Sequence, residues 1–337
     1  MSLPTHAVDS PAAWHGRDMA QRDDWIRNFT AAEISELEAA VTSAQASGKP
    51  RDQLTREDFP LPRLAAESRH WLRELADGRG FMLLRGLPVE RWGDEVASLA
   101  YLGLGLHMGG LASQNAAGDL LGHVRDTGAD PNDPSVRLYR TNAAQGFHTD
   151  GADVIGLLCL RTAKSGGESR IVSSISVFNE VLAARPDLVP LLFAPWHFDR
   201  QGEQGEGEPP TFAIPLCYWD GSHLRTFYIG WYIRDAQQHD SVPRLSDEQE
   251  ELLELIDAVA DRCALDMEFK PGDIQLLKNS SILHGRAAFS DWPEPERRRH
   301  LLRLWINADT DFAADGNIVK AVPTTAGHRS DEELLDS

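Results

Sequence analysis

The sequence predicts a mainly β fold with flanking helices, built as an antiparallel sandwich or barrel. Three observations carry this. Beyond about residue 110, short β-like segments alternate with Gly, Asn, Asp and Pro turns: DLLGHVRD, DVIGLLCL, SRIVSS, FAIPLCYW, LRTFYIGWYI, LDMEF, IQLLKN and RHLLRLWIN. Helical periodicity is confined to the N-terminal third and to two insertions. No internal repeat or linker divides the 337 residues, and the candidate chemistry draws on both halves. One domain over 29–312 is therefore expected, with its β core at about 80–308, a loose segment at 1–28 and a flexible tail at 313–337.

The opening stretch to Asn28 is polar and rich in Pro and Ala, with no periodicity to fold on. Thr30 and Glu33 then stand at capping-box spacing, and Ile34, Leu37 and Val41 recur at helical intervals, so a helix starts there. A second helix is predicted over Leu64–Asp77, where Trp71, Leu72 and Leu75 share a face and Gly78 stops it. GFMLLRGLPV (80–89) is a short apolar run closed by Gly-Leu-Pro, which reads as a buried strand. The helical insertions are expected near 177–184 and over Asp247–Cys263, the latter with Ser246 and Gln249 in capping-box register. QGEQGEGEPP (201–210) reads as an acidic, Gly-rich mobile loop.

Composition narrows the function. The 33 Lys+Arg against 52 Asp+Glu leave a net charge of -19, which argues against a nucleic-acid partner, since that needs a basic footprint. A small substrate is not excluded, because a pocket can differ in sign from the whole surface. Cys159, Cys217 and Cys263 are odd in number and set among apolar neighbours, so they read as reduced core residues. MSLPTHAVDSPAAWHGRD shows no apolar signal region and no run approaches membrane-spanning length, so a cytoplasmic protein without a membrane partner is expected.

Two ionisable groups interrupt the apolar texture of GFHTDGADVIGLLCL. His148 and Asp150 stand just ahead of the apolar run at 154–160, and residues i and i+2 of a strand face the same side. A lone His-x-Asp is equally a surface histidine beside a turn carboxylate. FKPGDIQLLKNSSILHGR changes the reading, because a Pro-Gly-Asp turn (271–273) and a strand lead to His284 directly after Ile282 and Leu283. Two histidines and one carboxylate, the third ligand from a remote strand, make the facial set of non-haem Fe(II) oxygenases. Zn(II) accepts the same ligands and keeps a position for water, so a zinc hydrolase is the chemical rival.

EPERRRHLLRLWINA then supplies cations. By strand parity Arg297, Arg299, Leu301, Arg303 and Trp305 share one face, and Arg298, His300, Leu302, Leu304 and Ile306 share the other. Arg303, inside LLRLWI, is costly to bury without an anion. Arg297 and Arg298 read as partners of the many carboxylates. Arg299 and Arg303 read as anion ligands, the kind of cation that an oxygenase using 2-oxoglutarate needs for the far carboxylate of that co-substrate.

HTD at 148–150, GGES at 166–169, HGRAAF at 284–289 and the Arg-x-x-x-Arg of Arg299 and Arg303 together resemble the taurine dioxygenase/2,4-dichlorophenoxyacetate dioxygenase (TauD/TfdA-like) superfamily, part of the wider clavaminate synthase-like group. The resemblance spans roughly 80–308 and keeps the family's motif order. It implies a double-stranded β-helix, a jelly roll with a cupin-like core, and Fe(II) held by His148, Asp150 and His284. It also implies that 2-oxoglutarate is oxidatively decarboxylated to succinate and CO2 with O2, while an unactivated C–H of a small, anionic metabolite is hydroxylated, desaturated or cyclised.

By the same resemblance Arg299 matches the clamp for the 2-oxoglutarate C5 carboxylate, and Ser169 matches its hydroxyl helper, where the family often has Thr. Arg303 resembles a second Arg that faces the substrate's anion in some relatives and supports the co-substrate in others. Gln114 and Asn115, in QNAAGDLLGHVRD (114–126), sit where relatives cover the active site, and they read equally as turn polars. Asp150 argues against a halogenase, because such relatives carry a small residue there and chloride takes the vacated position. Two alternatives stay open: a zinc hydrolase, and a jelly-roll binding protein without catalysis. Trp196, Trp219, Tyr228 and Trp231 are candidates for an aromatic pocket, although aromatics at strand positions are commonly core.

Overall fold

The apolar runs pair into two sheets, and what lies between them is one layer of side chains from each. In a computed structural model, which describes residues 3–115, 118–131 and 136–308, the larger sheet runs in the order Ile26–Asn28, Phe81–Arg85, Ile274–Lys278, Val154–Arg161, His300–Ala308, Gly109–Ala112. Leu121–Val124 also pairs with His300–Ala308. The smaller sheet runs Leu265–Met267, Ser169–Ser173, Ile282–Arg286, Gln145–His148. Phe81, Ile155, Leu277 and Trp305 of the first pack against Ile171, Leu265, Met267 and Ile282 of the second. Sheet neighbours come from distant parts of the chain and are antiparallel apart from Ile26–Asn28, which runs parallel to Phe81–Arg85. This is the expected jelly roll.

Helices cover the outer faces, which explains why strand Val154–Arg161 is apolar at nearly every position instead of alternating. Leu158, Leu302, Leu304 and Leu276 form a second core with helices Ala31–Ala46, Leu64–Asp77 and Val89–Leu106. Val172 and Leu283 of the smaller sheet pack with helices Ser174–Ala184 and Asp247–Cys263. Both expected capping boxes are made, at Thr30/Glu33 and at Ser246/Gln249. Helix Ser174–Ala184 starts earlier than its apolar period indicates because Ser173 caps it, its Oγ accepting from Ser176 N at 3.0 Å.

Three segments depart from the sequence reading. The stretch before Asn28, expected to be loose, is tied to the fold from residue 8. Asn179 exchanges two hydrogen bonds with the Val8 backbone, Ser173 and Ser176 donate to the Ala12 and Trp14 carbonyls, and Trp14 is buried. Such long-range side-chain ties leave no periodic trace. GWYI, read as strand, begins helix Gly230–Ala236, because aromatic and β-branched residues signal β structure unless tertiary contacts override them. Val89–Leu106, given no element by the sequence, is helical, with Gly93 (φ 72°) breaking its first turns from the rest. The tail expected at 313–337 lies outside the described residues.

A histidine pair fastens the edge strand. His300 Nδ1 accepts from Arg161 Nη2 at 3.0 Å, so the His300 Nε2–H donates to His123 Nδ1 at 2.8 Å. Burial, then the neighbouring His123 and Arg161, lower His300 to about 4, and burial with Arg125 lowers His123. Both therefore bind protons more weakly folded than unfolded. Their contribution is complete above about pH 6.5 and is lost as pH falls from there toward 4. Thermal melts across that window should show wild type losing more stability than His123→Gln. Identical pH dependence would count against the pair.

Candidate metal centre

Residues 145–153 leave the smaller sheet and enter the larger one, so their side chains stand at the rim between the two. His148 is the last residue of strand Gln145–His148 and lies directly opposite His284 of Ile282–Arg286. The sequence reading placed His148 and Asp150 at the head of the apolar strand. They instead end one strand and start the turn before Val154–Arg161, and 148–149 are also paired with 228–229. There His148 bridges Ile229, and Thr149 N donates to Tyr228 O at 2.8 Å. Asn279, from the turn before His284, brackets the next residue: Asp150 N donates to its Oδ1 at 2.8 Å, and its Nδ2 donates to Asp150 O at 2.7 Å.

The parity argument thus survives the shift in strand boundary. His148, Asp150 and His284 are all buried, and each offers one ligand atom such that the three lie within 4.8 Å of one another. His148 Nε2 is 4.0 Å from Asp150 Oδ1, and His284 Nε2 is 3.5 Å from Asp150 Oδ2. His148 Nδ1–H donates to Gly146 O at 2.9 Å, which leaves its Nε2 lone pair facing the cluster. Burial, then His284, push His148 down to about 3, so the imidazole is neutral at pH 7. Burial acts to raise the Asp150 carboxyl, but the Arg303 guanidinium leads the groups that outweigh it and hold it well below the usual carboxylate range. Two imidazole nitrogens and one carboxylate oxygen are what a divalent first-row metal takes. The residues fit such an ion.

Arg303 turns toward the carboxylate. Its Nη1 lies 3.2 and 3.4 Å from the two Asp150 oxygens, and Trp305 Nε1 donates to Oδ2 at 3.1 Å. Gln114 holds Arg303 in place, accepting from Nε at 2.7 Å and donating to the Arg303 carbonyl at 2.8 Å. Asn115 is bound into its own turn through Asp119, and both it and Gln114 line the larger cavity described below. Arg297 pairs with Glu294, whereas Arg298 donates to the Trp292 and Pro293 carbonyls and not to a carboxylate.

Beside the histidines lies a cavity of about 40 Å³ walled by Ser169, His284, Arg286 and Arg299. Ser169 Oγ donates to the buried Gln275 Oε1 at 3.1 Å, which leaves its lone pairs free. Arg299 is buried, donates from Nη2 to Gly167 O at 3.4 Å, and has no partner at Nη1. Burial lowers it to about 10, so it stays cationic at neutral pH. Gly167 permits this approach: its φ is +78°, and a Cβ there would stand 3.0 Å from Arg299 Nε. Arg286, which the sequence reading quoted inside HGRAAF without a role, faces the same cavity. Its spacing of two from His284 was the available signal.

A larger cavity of about 410 Å³ opens on the other side of His148 and Asp150. Trp231 and Tyr232 reach it from the helix read as strand, together with Tyr139, Arg137, Arg200 and Trp305. Of the four aromatics singled out from sequence, only Trp231 lines it. Trp196 and Tyr228 are core, and Trp219 packs on that core.

The fold is a jelly roll whose donor set suits one divalent metal, and comparison with known proteins gives the class. The pattern described as "Taurine catabolism dioxygenase TauD, TfdA family" matches residues 45–305, and the chain belongs to that family. It is 30% identical over 311 residues to FR-33289 synthase of Streptomyces rubellomurinus, covering 90% of this chain and 91% of that protein. It is also 30% identical over 316 residues to taurine hydroxylase-like protein SAT17 of Stachybotrys chartarum, covering 91% and 81%. A solved asparagine oxygenase, in complex with Fe(II), 2S,3S-3-hydroxyasparagine and succinate, shares the fold at TM-score 0.67 and 17% identity, covering 84% of this chain and 93% of that one. The protein is an Fe(II)- and 2-oxoglutarate-dependent dioxygenase acting with O2 on a small metabolite. Neither the zinc hydrolase nor the non-catalytic reading finds support in these likenesses. No helix among the described residues is long and apolar enough to cross a membrane.

Proposed function

We propose that His148 Nε2, an Asp150 oxygen and His284 Nε2 hold the iron, and that the enzyme oxidises an unactivated C–H of a small, anionic metabolite in the 410 Å³ cavity. The observation that carries this reading is the convergence of the three buried donors between two cavities, with His148 lining both, Asp150 the larger and His284 the smaller. When bound, iron with 2-oxoglutarate and O2 supplies the oxidant: the co-substrate becomes succinate and CO2 as one oxygen atom goes to the substrate.

The chain's own side chains set the conditions for that chemistry. Neutral His148 presents a lone pair at Nε2. Arg303 and Trp305 keep Asp150 ionised and fix its rotamer, so each is a positioning residue. Arg299 and Ser169 receive the far carboxylate of 2-oxoglutarate in the smaller cavity. Trp231, Tyr232 and Tyr139 wall the larger cavity with apolar surface that excludes water from the reacting carbon.

Arg137 and Arg200 at that wall are paired with Glu203 and Glu208, and Asp199, Glu203 and Asp235 line it too, so the anionic substrate rests on the sulfonate of taurine, named in the family's description. Hydroxylation is the default outcome. The three cysteines are free and buried, which supports a reducing, cytoplasmic setting. Anaerobic addition of Fe(II) and then 2-oxoglutarate should give a weak visible charge-transfer band and saturable 2-oxoglutarate binding. No band and no binding would overturn the reading.

A further inference from the structure

Arg286 presents an unusual balance of contacts. It follows His284 by two on strand Ile282–Arg286, so its side chain enters the same interior, where it is 5% exposed. Nη2 donates to the Leu138, Thr141 and Ala143 carbonyls. Nε and Nη1 are buried and have no partner among the described residues, and neither does Nη1 of Arg299. Among the described residues, neither arginine makes an ion pair with a carboxylate. Both guanidinium groups rest against the Phe289 ring, 5.0 and 5.1 Å from its centroid, and both wall the 40 Å³ cavity.

Two buried cations set side by side without a counter-ion are unfavourable unless an anion completes them. Three orphaned nitrogens belong to the two arginines that wall a space next to the metal ligands, and a carboxylate offers about four acceptor positions on two oxygens. We propose that Arg286 is a second cation for the far carboxylate of 2-oxoglutarate, shared with Arg299. This rests on the co-substrate reading above and adds to it: the pocket is dicationic, and it selects a 2-oxo acid by a distal negative charge. A 2-oxo acid without that charge would leave both guanidinium groups unpaired, which is a strong basis for rejection. The same Arg286 also holds the 138–143 backbone, which carries Tyr139 into the wall of both cavities. A test must separate these two roles.

Calorimetric titration of the iron-loaded protein under anaerobic conditions does so, with 2-oxoglutarate and separately with 2-oxobutyrate. The second acid keeps the 2-oxo acid end and lacks the far carboxylate. Arg286→Gln should weaken 2-oxoglutarate binding by about 10- to 100-fold, the value of a charge-assisted hydrogen bond, and leave the weak binding of 2-oxobutyrate unchanged. Arg286→Lys, which keeps the charge, should recover part of the loss and serves if the glutamine variant does not fold. Unchanged 2-oxoglutarate affinity in a folded variant would overturn the proposal. So would an equal loss for both acids, which would mean that Arg286 only supports the 138–143 segment. Wild type failing to bind 2-oxoglutarate would instead overturn the underlying reading, and it needs no variant to be seen.

Discussion

Replacing Asp150 with alanine should reduce succinate formation to the level of free iron in buffer, a loss of more than about 100-fold. Changes to groups that merely orient a metal ligand already cost about 10- to 100-fold, and Asp150 is itself a proposed ligand. The substitution should also lower stability by about 3–5 kcal/mol, because it strands the Arg303 guanidinium, now 3.2 Å from the carboxylate, as an uncompensated buried charge. Turnover and metal content are the measurements, with a denaturant melt alongside. Retained turnover would remove Asp150 from the site. A stability loss with normal turnover would make it a structural partner of Arg303 only.

The second large effect has the opposite sign in stability. Arg299→Met should weaken 2-oxoglutarate binding by about 30- to 1,000-fold, since one partner of a desolvated charge pair is removed. The ligand-free protein should meanwhile keep its stability or gain up to about 2 kcal/mol, because the Arg299 side chain is buried, makes a long hydrogen bond to Gly167 O and has no carboxylate partner among the described residues. A residue retained for folding would behave the other way, with stability falling and affinity changing little. Titration of both proteins with 2-oxoglutarate, together with melts of the ligand-free forms, distinguishes the two.

These contrasts bear on how far the amino-acid sequence exposes such a site. The cluster of His148, Asp150 and His284, the proposed ligand set, was legible because parity joins His148 to Asp150 and His284 follows Ile282 and Leu283 on a strand. The arginine strand was legible for the same reason, and its two faces separate in the structure as parity requires, with Arg299, Leu301 and Arg303 on the cavity and Leu302 and Leu304 in the outer core.

What stayed hidden depends on contacts distant in sequence. Arg303 reads as an anion ligand by composition alone. Only the folded chain brings it to Asp150, 153 residues away, with Gln114 fixing it from 189 residues away. Asn279 gave no signal, because a lone Asn in a turn is ordinary until its amide is seen to span the Asp150 backbone. The helix that places Trp231 and Tyr232 at the larger cavity was masked by residues whose intrinsic preference is for strands.

Three side chains are proposed to hold one iron next to a pocket that grips the far end of 2-oxoglutarate. A structure of the protein grown anaerobically with Fe(II) and 2-oxoglutarate tests this most directly. One metal bound by His148 Nε2, Asp150 and His284 Nε2, with the distal carboxylate against Arg299 and Arg286, is the predicted result. A metal at other residues, or a co-substrate whose distal carboxylate lies away from both arginines, would contradict it.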